Sequence, residues 1–353
     1  MSESGDIIAK AFRVALAAPL NLDAAERSAT GFPQRYDGPP VRLRRFEHVW
    51  LGKRSQIIDE AGIAPQSYPP GEMPDRRHVA RVARIVERWK EGAIVLDGER
   101  LLVSDWWSAN YYHWMADTLP RLEAALSVRD AWELLLPASA CEQAFVRESL
   151  KAYPQIAVTR YDPDEQPVQV GKLAVPTHVA DNGFHHPVFT PRVFARLSRH
   201  LSVPPKPGGR RLHVTRRNAR MRQLVNEEQI LPVLSAYGFE TVDFDGMTLG
   251  EQARLMGEAQ VIAGAHGAGL TNMGFMARGG AVVEMRHLAG PSNCYVSLAS
   301  TLGHGHFVVP SEPSDGAAHL HAMDITVAPD RLRRVLDMLE VRLAAAAENG
   351  RGG

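Results

Sequence analysis

Cysteine is nearly absent: Cys141 and Cys294 are the only two in 353 residues. They lie far apart without a CxxC partner, so neither a disulfide framework nor a thiolate zinc site is indicated. Lysine is scarce as well, with Lys10, Lys53, Lys90, Lys151, Lys172 and Lys206 the only ones. Positive charge is therefore carried by arginine, whose planar fork suits bidentate grip on phosphate or carboxylate; a G- and C-rich coding sequence produces the same bias. Net charge is missing too, since 40 basic and 40 acidic residues cancel. Without a long run of one sign, the overall field points to neither nucleic acid nor a membrane surface. No stretch approaches the roughly 20 apolar residues of a membrane span. The first residues, MSESGDIIAKAFRVALAAPLNL, place acids first and interrupt a short apolar run with charge, unlike a secretory signal. A reducing, cytoplasmic setting is the expectation.

The length exceeds what one hydrophobic core usually covers, which favours two domains. Residues 1–90 are rich in Pro, Gly and Arg with little periodicity, beyond a helix expected over Asp75 to Trp89. From Ala93 the pattern sharpens. AIVLDGERLLV reads as two short strands around a turn at Asp97-Gly98, followed by a helix from about Asn110 to Leu126 that Pro120 should kink or end near Thr118. Trp132 to Leu136, Ile156 to Arg160 and Val168 to Pro176 read as strands, and Cys141 to Tyr153 as an amphipathic stretch. The run SVPPKPGG at Ser202 to Gly209 can neither propagate a helix nor serve as a central strand. The division is accordingly 1–203, a linker at 204–209, and 210–353. In the second part, RLHVT, ETVDF, QVIAGA, AVVEM and GHFVVP alternate with helical patterns from near Asn226, Thr248, Gly269 and Ser292, before a last helix from Pro329 to about Glu348. Strands apolar on both faces that alternate with helices mark an α/β class with parallel sheets.

The strongest local signal is VIAGAHGAGLTNMGFM, where an apolar strand ends at His266 and a helix comes after Gly267, Ala268 and Gly269. Such a turn brings backbone N–H groups and a helix amino terminus to a diphosphate, with His266, Thr271 and Asn272 as possible side-chain donors. A strand-to-helix turn that needs glycine only for packing is the other reading. The spacing of Gly264, Gly267 and Gly269 is not a dinucleotide GxGxxG, which counts against a nicotinamide or flavin enzyme. Glu284, at the end of AVVEM, sits where a carboxylate accepts ribose hydroxyls, or it pairs with neighbouring Arg286. VTRRNARMR places Arg216, Arg217, Arg220 and Arg222 after the first strand, as a pyrophosphate clamp or as a solvated face.

In SDWWSANYYHWMADTLPRL, residues Asn110, His113, Asp117 and Arg121 form one polar helical stripe, with Asn110 suited to the N-cap. A His and an Asp at i, i+4 can act together as a general base towards an acceptor hydroxyl, or simply form a solvated face. His185, His186, His304 and His306 lack a third ligand at metal spacing and read as turn or core histidines. Asp243 and Asp245 make a DxD that reads as a strand-end loop. No metal is assigned.

With NYYHWMADTLPRL, VTRRNAR, and VIAGAHGAGLTN followed by VVEM in that order, the chain resembles glycosyltransferase family 61, over about Val103 to the end. The resemblance implies a GT-B enzyme of two Rossmann-like domains, with the donor on the carboxyl-terminal one, inversion at the anomeric carbon and no metal or other cofactor. It places Arg216, the turn from His266 to Asn272, and Glu284 on a nucleotide-diphosphate sugar, with Arg217 beside them. His113 and Asp117 fall on the acceptor side, with Asn110 and Arg121. A glycan or glycolipid acceptor of capsular or exopolysaccharide type, with docking at the membrane where such glycans are built, is the corresponding partner expectation. The alternatives are a non-catalytic subunit of a polysaccharide-assembly complex and another Rossmann-type enzyme, such as a dehydrogenase or methyltransferase.

Overall fold

The computed structural model describes residues 5–72, 92–203, 208–290, 292–314 and 322–351, with 77, 82, 86, 89 and 206. Apart from those isolated positions, the Asp75–Trp89 helix lies outside the described residues, and so does much of the SVPPKPGG run. The architecture is α/β with parallel pairing in both sheets that carry the molecule. Two compact units are present: Met1–Val14 with Asp37–His200, and Ala15–Tyr36 with Leu201–Gly353. Residues 15–36, within the span expected to be wholly amino-terminal, thus pack with the second unit.

The first unit is built on a mixed sheet. Val168–Pro176, Ile94–Leu101, Trp132–Pro137 and Ile156–Tyr161 lie side by side and parallel. Val41–Leu51 joins them antiparallel to Val168–Pro176, and carries Asp6–Ala9 and the short strands Ile57–Asp59 and Gly62–Ile63. Ile94–Leu101 is one strand, not the hairpin expected. Val170 faces Leu96 and Lys172 faces Glu99, so Asp97 and Gly98 together oppose one residue. The positive φ of Gly98, +82°, serves this bulge.

The second unit has five parallel strands in the order Phe239–Val242, Arg210–Val214, Ala259–Ala265, Ala281–Arg286, Gly305–Pro310. Ala281–Arg286 is buried along its whole length, as a strand covered on both faces must be. Helices Glu227–Ala236 and Pro329–Arg351 share one core with these strands through Ile230, Leu234, Leu332, Leu336 and Leu339. Leu249–Gly257 opens on a capping box between Thr248 and Glu251. The edge at Gly305–Pro310 is closed by residues 20 and 21: Leu20 N–H donates to His306 O, and Asn21 bonds both ways with Val308. Numbered along the chain, the strand order is 2-1-3-4-5, which reverses between Arg210–Val214 and Ala259–Ala265. Ligands of open α/β sheets bind beyond the carboxyl ends of the strands at such a reversal.

Candidate functional site

The two strands at the reversal deliver the two motifs singled out in this unit. Arg210–Val214 runs into Thr215, Arg216 and Arg217, and Ala259–Ala265 into His266 and Gly267. Arg216 Nε and Nη2 donate to Arg222 O and Met221 O at 3.2 and 3.0 Å, which fixes the guanidinium and leaves Nη1 directed at Gly267. Burial depresses the pKa of Arg216, and Arg222 adds to this. Arg217 is exposed, with Nε 3.7 Å from Glu227 Oε2. Gly267 has φ 178°, an extended conformation open to any residue. Its glycine leaves room for the guanidinium and does not serve a tight turn, because a Cβ would meet Arg216 Nη1 and displace it. Gly269 is enclosed in the same way by Val214 and Phe244.

Immediately after the turn stands the expected helix, Ala268–Phe275, of 3-10 form. Its first amides have no partner within the helix, and Ala268 and Gly269 are half-exposed. Thr271 and Asn272 are fully buried, and Asn272 Nδ2 donates to Gln252 Oε1 at 2.9 Å. These two side chains hold the segment down and do not present donors at its surface.

Glu284 lies on the adjacent strand with no exposed surface. Its Oε1 accepts from His266 Nδ1, while His306 Nε2 lies 3.1 Å and Arg286 Nη1 3.9 Å from Oε2. Burial opposes ionisation, but Arg286, His266 and His306 outweigh it and hold the carboxyl well below the usual carboxylate range. Glu284 therefore supports His266 and is not open to a ribose hydroxyl, and its partners include both the expected Arg286 and an unforeseen His306. Burial lowers the pKa of His266. A neutral ring that gives Nδ1–H to an ionised carboxylate keeps a lone pair on Nε2. His266, edge-on to Tyr295 at 4.7 Å, shares a small pocket with Arg222, Arg286 and His287.

In the first unit, the expected stripe is on one helix of unusual form. Asn110 caps it, accepting from Tyr112 N–H at 3.0 Å. Tyr111–His113 is α-helical, Trp114–Thr118 is a π turn in which Leu119 N–H reaches Trp114 O, and Leu119–Leu126 is α-helical again. Pro120 neither ends the helix nor stands in its regular interior. The wider turn before it accommodates a residue that lacks an N–H. His113 Nδ1 and Asp117 Oδ2 are 2.7 Å apart, each side chain about one-fifth exposed. Burial alone would depress His113, but the hydrogen bond and charge of Asp117, with Asp105 and Glu72, raise it. Arg121 is fully buried, its Nε and Nη2 both donating to Pro176 O.

A second carboxylate–histidine pair, not singled out in the sequence, stands beside the first. His178 Nε2 is 2.8 Å from Asp105 Oδ2. Against burial, His178, Arg121 and the Trp107 amide hold Asp105 at about 2, so it is ionised and accepts Nε2–H. Burial and Arg121 lower His178, which leaves a neutral imidazole with its lone pair on Nδ1. His178 and Asp117 line one pocket with Pro69, Pro70, Asn182 and Phe184.

The four histidines His185, His186, His304 and His306 are buried. His186 Nδ1 accepts from Val188 and Phe189 N–H at the start of helix Phe189–His200, His185 bonds Tyr112 OH, and His304 bonds Met273 O. Asp243 Oδ1 accepts from Asp245 N–H and Oδ2 from Asn218. Among the described residues, no group of three His, Cys, Asp or Glu is placed to hold a metal, and no helix is long and apolar enough to cross a membrane.

Residues 111–283 match the protein-family model described as Glycosyltransferase 61. The chain is also similar to three curated proteins, each an EGF domain-specific O-linked N-acetylglucosamine transferase. That of Drosophila melanogaster is 30% identical over 118 residues, which cover 32% of this chain and 22% of the relative. That of Bos taurus is 31% identical over 104 residues, 28% of this chain and 20% of the relative. That of Mus musculus is 30% identical over 115 residues, 31% of this chain and 21% of the relative. The similarity thus spans about a fifth of these relatives' length. The matched segment includes His113, Asp117, Arg216 and the turn at Gly267, and ends beside Glu284.

Proposed function

The chain belongs to glycosyltransferase family 61 through residues 111–283, and on that premise we propose that it moves a sugar from a nucleotide-diphosphate donor to a hydroxyl of a glycan or protein acceptor. The observation that carries this reading is the meeting of Arg216 with the Gly267 turn at the strand-order reversal of the second unit. There Arg216 Nη1 and the first amides of the 3-10 helix take the charge of the diphosphate, and His266 Nε2 accepts from a hydroxyl of the donor. The two α/β units are the pair of nucleotide folds that a GT-B enzyme needs.

In the transfer, the acceptor oxygen forms a bond to the anomeric carbon as the bond from that carbon to the diphosphate breaks. The electron pair leaves with the nucleoside diphosphate, and attack from the opposite face inverts the centre. The acceptor proton goes to a base of the first unit, where His178 and Asp117 share a pocket. His178 is the better suited. Asp105 fixes its tautomer with the lone pair on Nδ1, as a carboxylate fixes the base of a Ser-His-Asp triad, and its pKa is lowered, whereas that of His113 is raised, which favours the protonated ring. The charge of the leaving group is met by arginine and amides, and no metal is assigned to the step.

Thermal melts of the full chain with UDP, GDP, CDP, TDP, NAD and S-adenosylmethionine test this. A ligand that binds only the folded state at 100 times its dissociation constant stabilises by about 2.7 kcal/mol. Stabilisation by a nucleoside diphosphate, lost in His266→Ala, is the expected result; a response to NAD or S-adenosylmethionine alone would remove the proposal.

A further inference from the structure

The pocket that carries His178 shares Pro70, His178 and Ala180 with a larger groove of the first unit, about 320 Å³, at the lower end of the range of small-ligand sites. Strand Val41–Leu51 contributes Arg42 and Arg44, two apart and therefore on the same face. Alongside it, just beyond strand Val168–Pro176, Thr177, His178, Ala180 and Asp181 complete the lining, with Thr177 hydrogen-bonded to Arg42. Pro65, Tyr68 and Pro70 supply flat apolar surface. Tyr68 is itself stacked on Trp106 at 5.7 Å, so its ring is held in one orientation.

Arg44 is the odd residue here. Arg45, Arg129, Arg160, Arg196, Arg210 and Arg211 each meet a carboxylate. Among the described residues Arg44 makes no side-chain hydrogen bond or ion pair, and its Nε is buried without a partner. Arg42 gives only Nη1 to Gly5 O, at 3.3 Å. Among the described residues, Asp181 is the single acid on the groove wall. A buried guanidinium nitrogen that lacks a partner costs its full desolvation, and a ligand anion would satisfy it in the fork geometry that arginine offers carboxylates and phosphates.

We propose that this groove is the acceptor subsite and takes a saccharide bearing an anionic group, a carboxylate or a phosphate, with Arg44 as its ion-pair partner. The inference rests on the glycosyltransferase reading for the word acceptor, and the site itself stands on the two arginines. The ring of such a saccharide lies on the proline and tyrosine faces, and its hydroxyls come within the pocket where His178 sits beside Asp105.

The test is NMR titration of the full chain with glucuronate, glucose 6-phosphate and glucose. Saturable binding of one acidic sugar, at least tenfold tighter than glucose, is expected, and the two acidic probes distinguish a carboxylate from a phosphate source. Arg44→Ala should weaken the acidic sugar tenfold or more while leaving the glucose response and the melting temperature in place, and Arg44→Lys should restore part of the loss. Equal binding of acidic and neutral sugars, no binding of either acid, or an unchanged affinity in Arg44→Ala overturns the inference. A parallel titration with nucleoside diphosphates separates the two ideas. Diphosphate binding without acid-sugar binding sinks this inference alone, and the converse sinks the transferase reading alone.

Discussion

A Cβ on Gly267 would fall 2.0 Å from Nη1 of Arg216. Glycine at this position keeps the guanidinium over the turn, and Arg216 in turn is anchored by the carbonyls of Met221 and Arg222. Gly267→Ala is accommodated by movement of the arginine's flexible end, so the fold should lose no more than about 2 kcal/mol, within the ordinary range for single substitutions. Nucleoside-diphosphate affinity should fall at least tenfold, as in Arg216→Ala. Calorimetric titration beside a denaturant melt checks both; an alanine variant that binds like the parent separates Arg216 from the diphosphate.

Asp105 and His178 give a second expectation. Removal of a positioned base typically costs 10²–10⁴ in rate, so His178→Ala should lower kcat by about 10² or more with donor affinity unchanged. Asp105→Asn should lower it by less, by releasing the tautomer. Because burial lowers the pKa of His178 from 6.5, the acid limb of the pH profile should lie below that value. A steep loss in Asp117→Asn, with His178→Ala near the parent, would transfer the role to Asp117.

Much of the second unit was legible because continuous β-branched runs such as QVIAGA and AVVEM can be satisfied only by a sheet covered on both faces. Arg216 and the Gly267 turn were found at strand ends for the same reason. The pair Asp105 and His178 was not, since 73 residues separate them. They meet because Ile94–Leu101 and Val168–Pro176 pair in parallel, which sets the loops after Leu101 and Pro176 side by side. Each comes directly after an apolar strand, in LLVSD and AVPTH, and that placement was the available signal. The bulge at Gly98 and a hairpin turn demand the same positive φ, so local sequence does not separate them. Strand Val41–Leu51 was hidden because its inward alternation holds at Val41 and Leu43 and then breaks at Arg45 and Phe46.

Both units should weaken in mild acid. Burial holds His185, His186 and His304 at about 4, below their ordinary 6.5. A histidine with a lowered folded pKa binds its proton more readily when unfolded, so its contribution is fully present above pH 6.5 and is lost as pH falls towards 4. For the deeply buried His185 this amounts to at most about 3 kcal/mol, at 1.36 kcal/mol per unit of pKa. His113, which is raised, works in the opposite direction. Urea midpoints at pH 7, 6, 5 and 4 should fall steadily; a flat series from pH 7 to 5 would mean that these rings are protonated without cost.

Asp243 and Asp245 bear on whether the transfer uses a divalent cation. Both oxygens of Asp243 are engaged, one by the Asp245 amide of its own loop at 2.9 Å and the other by Asn218, in the segment after strand Arg210–Val214, at 3.2 Å. To bind an ion, the loop would first have to release that turn, whereas in the proposed transfer Arg216 and the helix amides meet the diphosphate charge. Turnover should therefore survive excess EDTA within about twofold, and Asp245→Ala should leave it near the parent. Asp243→Ala should cost only the loop's hydrogen bonds, about 0.5–1.5 kcal/mol each. Loss of turnover in EDTA that magnesium or manganese restores, together with inactivation by Asp245→Ala, would reassign this pair as cation ligands.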